Sequence, residues 1–209
     1  QWGYLAHRIV GDLVEEGGLP VGFSPELKAD LLDWLAAATT FADMWGTPYA
    51  SFGGHSMNME TGLAHVIPAR RYFGINTIHI DMMELRGRIE AGRYESESRE
   101  LLGWLQKMLP GRIHRQSVHG DREDNLDRLQ YQCQMYLAMK DTMAELGATV
   151  GGFQGQRQWT DYLPTGDVPE ALLNDNFDHT GKKLPLAFAT ENDFNRGLTQ
   201  RLCLGLSRG

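Results

Sequence analysis

The chain has 209 residues, enough for one domain with a sizeable core. Hydrophobic residues make up 42% and charged residues 22%, ordinary values for a folded domain that argue against intrinsic disorder. The 27 acidic and 20 basic side chains give a net charge of −7, and the basic residues form no stripe, which argues against nucleic-acid binding. The sequence contains no run of about 18 apolar residues, so it predicts no membrane span.

Hydrophobic periodicity and turn signals predict an alternation of helices and strands. Ser24, Pro25 and Glu26 form the usual opening of a helix, and Asp81 and Glu84 have the spacing of a capping box for another. The first half is expected to contain a helix from 25, a strand from 48 that runs into a Gly-Gly turn before 57, a helix over 59–74 and a strand over 75–82. Three helices over 83–92, 95–109 and 122–147 should follow. The second half is expected to contain a strand over 148–153, a loop over 154–166, a helix over 168–177, and a strand over 184–190 before a last helix.

Strands that alternate with helices indicate a mostly parallel sheet covered by helices on both faces. We therefore expect an α/β fold, a three-layer Rossmann-like (doubly wound) domain. Cys133 and Cys203 each lie in an apolar helical pattern, which favours reduced thiols in a cytoplasmic protein over a disulfide framework.

Polar residues interrupt an apolar pattern in the stretch "LPLAFATENDFNRGL", where the last predicted strand ends. Ligands of open α/β sheets bind outside the carboxyl ends of the strands, so Glu191 is a candidate site residue. The alternative is that Thr190 or Asn192 caps the next helix and Glu191 faces solvent.

The loop "FQGQRQWTDYLPTGD" follows the preceding strand and combines amides with an indole. Such loops bind sugars, because amides pair with hydroxyls and an indole covers C–H groups; a solvated connector is the alternative. Both loops would open on one edge of a parallel sheet, which would present Gln154, Gln156, Trp159, Glu191 and Asp193. Hard oxygen ligands there favour Mg²⁺ or Mn²⁺ over zinc.

Histidines and glycines give weaker signals. The histidines have no metal-ligand spacing, and His79, in a predicted strand, is interpreted as a core residue. The stretch "GGHSM" at 53–57 could receive a phosphate or hydroxyl on free amides, but it lacks the full nucleotide-binding spacing, so we interpret it as a tight turn.

These motifs together resemble the L-fucose isomerases. "GGFQGQRQWTDYLPTGD" and "ALLNDNFDHTGKKLPLAFATENDFN" are similar to the middle of those enzymes, and "GGHSMNM" and "IHIDMMELRGRIEAGRYE" to earlier stretches. The resemblance covers most of residues 35–198. It implies an aldose–ketose isomerase that interconverts L-fucose and L-fuculose, or D-arabinose and D-ribulose, through an enediol. It further implies Mn²⁺ in preference to Mg²⁺, a monosaccharide substrate and a homo-oligomer.

The resemblance also implies roles for two residues. In that family the glutamate of the TEND motif is a manganese ligand and one of two acid/base carboxylates, which gives Glu191 a metal-binding and a catalytic role. The first glutamine of FQGQR lies in the sugar pocket, which gives Gln154 a substrate-binding role.

The sequence departs from the family's pattern in three places, one of which is that the match fades after Gly197 and Arg201 falls in what is usually an apolar helix. The family's remaining metal ligands, an aspartate and a histidine, come farther along than this chain extends, and the connection from Leu146 to Gly151 is shorter. The expected organisation is a central Rossmann-like domain over 24–198, a helical segment over 1–23 from a preceding domain, and the truncated start of a following segment over 199–209. Such a fragment should be inactive alone. The alternative is a non-catalytic α/β sugar-binding or regulatory module that reuses the scaffold.

Overall fold

The computed structural model describes residues 25–207 apart from 57–58, 63–64, 114–124 and 157–158, and within them it contains seven α-helices and two β-sheets. The helices are α1 (Pro25–Met44), α2 (Val66–Phe73), α3 (Met82–Glu90), α4 (Glu95–Met108), α5 (Asn125–Leu146), α6 (Asp167–Asn174) and α7 (Phe194–Leu206). The strands are β1 (Pro48–Phe52), β2 (Asn76–Ile80), β3 (Val150–Phe153), β4 (Phe177–Asp178), β5 (Gly181–Lys182) and β6 (Ala187–Ala189).

Four parallel strands form the main sheet in the order β2–β1–β3–β6. The register places Tyr49 of β1 beside Thr77 of β2 and Val150 of β3. Val150 in turn lies beside Ala187 of β6. The strand after β1, β2, is added on one side of β1, and the later strands β3 and β6 are added on the other side. The direction of strand addition therefore reverses between β1 and β3. Ligands of open α/β sheets bind beyond the carboxyl ends of the strands at such a reversal.

Side chains that alternate along the strands enter two separate cores. Ala50 and Phe52 of β1 belong to the larger core, which is covered by α3, α4, α5 and α6. Tyr49 belongs to the smaller core, to which α1, α2 and α7 contribute. Helices thus lie on both faces of a parallel sheet, which confirms the expected three-layer α/β architecture.

Some predicted elements have different bounds in the structure. The helix expected over 59–74 begins only at Val66, so Pro68 lies in its first turn, where a missing N–H costs little. It ends as predicted at Gly74, which has φ 66°. The helix expected over 168–177 ends at Asn174, and an unpredicted antiparallel hairpin of β4 and β5 follows.

The interpretation of His79 as a core residue is wrong. His79 is exposed because β2 is an edge strand that pairs only with β1 within the described sheet. The cap predicted after β2 is present, since the Asp81 side chain accepts a hydrogen bond of 2.7 Å from the Met83 amide at the start of α3. Glu84, the second half of the expected capping box, pairs with Arg88 instead.

Of the two predicted domain boundaries, only the one near residue 198 lies in the described part of the chain. The helical segment expected over 1–23 lies outside the described residues. Helix α7 runs without a break through 198 and 199, and Leu198 is buried while Leu202 packs against the smaller core. Every helix in the described part of the chain is too short or too polar to span a membrane.

Candidate active site at the carboxyl edge of the sheet

Turns that follow β1, β3 and β6 lie together at the carboxyl edge of the sheet. Gln154 follows β3 directly, and Glu191 comes two residues after β6, the strand that pairs with β3. The turn after β1 contains Gly53 and Gly54, with φ of 80° and 85°, which confirms that these two residues form a tight turn. The fold therefore places the two residues singled out by the sequence at the ends of adjacent strands.

Glu191 has a backbone conformation that is rare for a residue with a Cβ. Its φ is 56° and its ψ is 22°, and the next residue, Asn192, has a φ of 55°. No other non-glycine residue in the described ranges has a positive φ. The left-handed region is disfavoured by Cβ sterics and is tolerated best by asparagine and aspartate. Such a conformation persists where the surrounding contacts fix it.

Asn192 supplies those contacts. Its side chain is 4% exposed. Tyr49 Oη donates to Asn192 Oδ1 at 3.0 Å. Asn192 Nδ2 donates to Ser51 Oγ and to the carbonyl oxygen of Gly54, both at 2.7 Å. The turn after β6 is thereby tied to β1, which is two strands away in the sheet.

Gly152 of β3 makes this link possible. It lies between Ser51 of β1 and Ala189 of β6 in the register. A Cβ at this position would lie 2.6 Å from Tyr49 Oη and 2.9 Å from the Cα of Asn192. The Tyr49–Asn192 pair therefore occupies the space above β3 that a side chain would otherwise fill.

The carboxylate of Glu191 lies at a polar cleft of about 380 Å³. Glu191 is half-buried, and Gln156 Nε2 donates a hydrogen bond to its Oε1. A hydrogen bond to the charged form fixes the direction of a carboxylate. The cleft's polar lining consists of Gln156, Thr160, Thr165, Asp167, Thr190 and Glu191.

Gln154 lines a second cleft of about 590 Å³ at the same edge. Its Nε2 donates to the carbonyl oxygen of His55 at 2.9 Å, and its backbone N–H donates to the carbonyl oxygen of Phe52. Gln154 is only 5% exposed, so it holds the turn after β1 and presents little surface to the cleft. His79 and Asp81 also line this cleft, a placement that the core interpretation of His79 missed.

Two other expected site residues have structural roles. Trp159 is completely buried, packs edge-on against Phe153, and donates its indole N–H to the carbonyl oxygen of Pro164 at 3.0 Å. The expectation that Trp159 is presented at the edge as a sugar platform is therefore wrong. Asp193 caps α7 by accepting from the Arg196 amide at 3.0 Å, so the alternative in which Thr190 or Asn192 is the cap is also wrong.

Glu170 of α6 is a buried carboxyl group beside the site that the sequence does not reveal. Thr190 Oγ1 donates to it, and the Arg196 guanidinium lies 3.3 Å from it. Burial raises the pKa of Glu170 above its usual range, although the Thr190 hydrogen bond and the Arg196 charge oppose this, and the nearby Glu191 carboxylate raises it further. An acid in the first turn of a helix is usually a partner of the helix dipole, so nothing in the sequence pattern around Glu170 indicates this role.

The cleft beside Glu191 offers oxygen donors of the kind that Mg²⁺ and Mn²⁺ prefer. Its lining carries the carboxylates of Glu191 and Asp167 and three threonine hydroxyls. Within the described ranges, no group of three or more His, Cys, Asp or Glu side chains is arranged to hold a metal ion. The oxygen atoms of this lining are of the type that a hard cation prefers, but the described residues by themselves do not form a set of metal ligands.

Comparison with known proteins finds one family and several relatives. The sequence model described as "L-fucose isomerase, second N-terminal domain" matches residues 47–147 and 144–206. The two matched segments overlap at residues 144–147, where the sequence predicts a shortened connection between α5 and β3. Gly147, with φ 65°, follows the end of α5 there. The L-fucose isomerase of Streptococcus pneumoniae (strain Hungary19A-6) is 33% identical over 217 residues, which covers 95% of this chain and 37% of that protein. The L-fucose isomerase of the Taiwan19F-14 strain is 31% identical with the same coverage. The chain thus spans little more than a third of the length of these curated relatives.

Proposed function

Since the chain belongs to the L-fucose isomerase family, we propose that it is the second, Rossmann-like domain of an aldose–ketose isomerase. The proposed substrate is L-fucose, with D-arabinose as a second candidate. The domain is proposed to start at residue 24 and to include all of α7, because that helix is continuous past 198 and the family match extends to 206. The observation that carries the proposal is the placement of Glu191, within the matched segment, at a polar cleft on the carboxyl edge of the sheet.

Glu191 is the proposed acid/base residue. Conversion of an aldose into a ketose through an enediol moves one proton from C2 to C1 of the open-chain sugar, while O2 loses a proton and O1 gains one. A carboxylate can take the carbon-bound proton from C2 and return it to C1. Glu191 is half-buried, so it faces the cleft while it is shielded from bulk water. The hydrogen bond from Gln156 supports this role because it fixes the orientation of the carboxylate before substrate binds.

Glu191 is also the proposed ligand of Mn²⁺, together with ligands from outside the described residues. When bound, the metal supplies positive charge that stabilises the negative charge developing on O1 and O2 of the sugar. The oxygen-rich lining of the cleft supports a hard cation at this position.

Gln154 is the proposed contact for sugar hydroxyls. An amide both donates and accepts hydrogen bonds, which suits a hydroxyl. Glu191 and Gln154 line different clefts: Phe153 at the carboxyl end of β3 lines the first, and Gln154, the next residue, lines the second. A sugar that contacts both residues must therefore lie across the end of β3, with its reacting carbons on the Glu191 side.

The proposed location is the cytoplasm, and the proposed assembly is a homo-oligomer. Both cysteines are free thiols, Cys133 buried and Cys203 exposed, which supports a reducing compartment. The exposed aromatic side chains Trp34, Phe41 and Trp45 on and just after α1 support contact with a further domain or subunit.

A chimera tests the proposed function. Residues 47–206 replace the matched segment of the S. pneumoniae relative, and ketose formation from L-fucose is measured with Mn²⁺ present. We expect the chimera to isomerise L-fucose and the 209-residue chain alone to show no turnover, because most of the metal ligands lie elsewhere.

The chimera's variants identify the group responsible. Glu191→Gln should lower kcat by about 10²- to 10⁴-fold, the usual contribution of an acid/base group. Glu90→Gln, which makes the same change at an exposed carboxylate of α3, should leave kcat unchanged. A folded chimera without turnover, or an active Glu191→Gln variant, would contradict the proposal, as would turnover by the chain alone above a metal-only blank.

A further inference from the structure

We propose that Asn192 is a positioning residue, which holds the Glu191 carboxylate at the cleft by anchoring the turn after β6 to β1. This inference rests on the proposed function for its catalytic meaning. Its structural basis is independent, because it depends on the backbone of two residues and on three hydrogen bonds.

The backbone of the turn needs an external anchor. Glu191 and Asn192 are consecutive residues with φ near 56° and 55°, and both carry a Cβ. A freely moving chain of this sequence would leave the left-handed region, because Cβ sterics disfavour it. The direction of the Glu191 side chain follows from this backbone, so whatever holds residue 192 also sets where the Glu191 carboxylate lies.

The anchor belongs to the central, buried part of the sheet. Tyr49 and Ser51 are alternate residues of β1, and they contact the two ends of the Asn192 amide. Tyr49 is 1% exposed, and its ring packs against Phe194 with centroids 4.8 Å apart. Burial, with the negative charge of Asp193 as a smaller cause, raises the pKa of Tyr49 well above its usual range, so its hydroxyl remains a donor.

The amide of Asn192 is matched to this environment. Its oxygen accepts from Tyr49, and its nitrogen donates to Ser51 and to the Gly54 carbonyl. A carboxylate at this position would lose both donated bonds, and an aliphatic side chain would lose all three. Glycine would accept the positive φ without strain but would lose the anchor. Asn192→Gly therefore separates anchoring from mere tolerance of the backbone conformation.

The test uses NMR of the 209-residue chain and of two variants. Asn192→Gly removes the anchor, and Tyr49→Phe removes one hydroxyl while it keeps the ring that packs on Phe194. The first readout is the side-chain amide signal of Gln156, which reports its hydrogen bond to Glu191, with the HN–Hα coupling of Glu191 as a report of φ. The second readout is the paramagnetic broadening of amide signals around Glu191 by Mn²⁺ alone. Core methyl signals report whether each variant is folded.

We expect Asn192→Gly to shift the Gln156 amide signal, to change the Glu191 coupling and to reduce Mn²⁺ broadening around Glu191 several-fold, while core methyl signals stay in place. Tyr49→Phe should produce a smaller change in the same direction. A purely structural role would alter core signals and stability without moving the Gln156 signal selectively. Unchanged Gln156 and Glu191 signals in folded Asn192→Gly, or in Tyr49→Phe if the glycine variant does not fold, would overturn the inference.

The two proposals fail in different ways. If Mn²⁺ broadens no signal near Glu191 in the unmodified chain or in the chimera, the metal role of Glu191 is wrong, and the Gln156 signal still decides the role of Asn192. If Mn²⁺ broadening is present and is the same in all folded variants, the positioning role is wrong and the metal role stands.

Discussion

Replacing Gly152 by alanine tests whether the space above β3 is reserved for the Tyr49–Asn192 link. The new Cβ would lie 2.6 Å from Tyr49 Oη and 2.9 Å from both Cα and Oδ1 of Asn192. The tyrosine hydroxyl cannot withdraw without giving up its hydrogen bond, and the Cα of Asn192 belongs to the turn itself. Either the strand or the turn must move.

The expected cost follows from two effects. Forcing an extra methyl group into a packed site costs about 1–3 kcal/mol. Loss of the Tyr49–Asn192 hydrogen bond adds about 0.5–1.5 kcal/mol. Gly152→Ala should therefore lower the free energy of unfolding by about 1.5–4.5 kcal/mol. With a urea m-value of about 2–3 kcal/mol/M, the unfolding midpoint should fall by about 1 M.

Urea unfolding followed by circular dichroism measures this change, and Gly103→Ala provides the matched control. Gly103 lies within α4, and no heavy atom of the surrounding described residues lies within 4 Å of a Cβ built there. The same methyl group should stabilise the protein at Gly103 by about 0.5–1 kcal/mol, because alanine favours the helix. If the free energy of unfolding of Gly152→Ala lies within about 0.5 kcal/mol of that of the unmodified chain, the Tyr49–Asn192 pair does not require the space above Gly152.

Two further predictions concern buried ionisable groups. Asp178→Asn should lower the free energy of unfolding at neutral pH by about 1–3 kcal/mol, because the buried carboxylate accepts hydrogen bonds from Lys140 and Tyr136. Burial by itself would raise the pKa of Asp178, but hydrogen bonds from Lys140, Thr180 and Tyr136 outweigh it and hold that pKa below its usual range. The stabilisation should therefore be present above about pH 4 and fall as the pH drops further, and equal acid dependence in variant and unmodified chain would contradict this. A thiol reagent should label exposed Cys203 in the native protein but Cys133 only on unfolding. The reason is that Cys133 is buried, and burial raises its pKa to about 12. Equal labelling rates for the two cysteines would show that Cys133 is accessible in the native protein.

The layered fold could be predicted from the sequence because its signals are local. Apolar runs that alternate with segments of helical periodicity predict the parallel sheet. Asp81 marks the start of α3 because its side chain caps the helix, and Gly74 marks the end of α2 because its backbone adopts a positive φ. The β4–β5 hairpin escaped prediction because each strand has two residues and no apolar alternation. The exposure of His79 depends on β2 lying at the edge of the sheet. The residues of a strand do not by themselves determine its place in the strand order, so this exposure could not be predicted.

The candidate site was predictable in position but not in its internal contacts. The placement of Glu191 and Gln154 follows from parallel strands that end at one edge. The burial of Trp159 depends on Phe153 and Pro164 closing around it, which loop composition does not reveal. The role of Asn192 was missed because its partners lie in β1 and the turn after it, far away in the sequence.

That separation has a consequence for the order in which the molecule forms. The Tyr49–Asn192 and Ser51–Asn192 hydrogen bonds join positions 143 and 141 residues apart. Contacts of such long range form late in folding, since the entropy of closing the intervening chain must be overcome first. We therefore expect the turn that carries Glu191 to take its final direction only after β1, β3 and β6 have paired. A chain whose sheet is incomplete therefore carries the carboxylate without its cleft, and the appearance of the Glu191–Gln156 hydrogen bond would time the last step of sheet assembly.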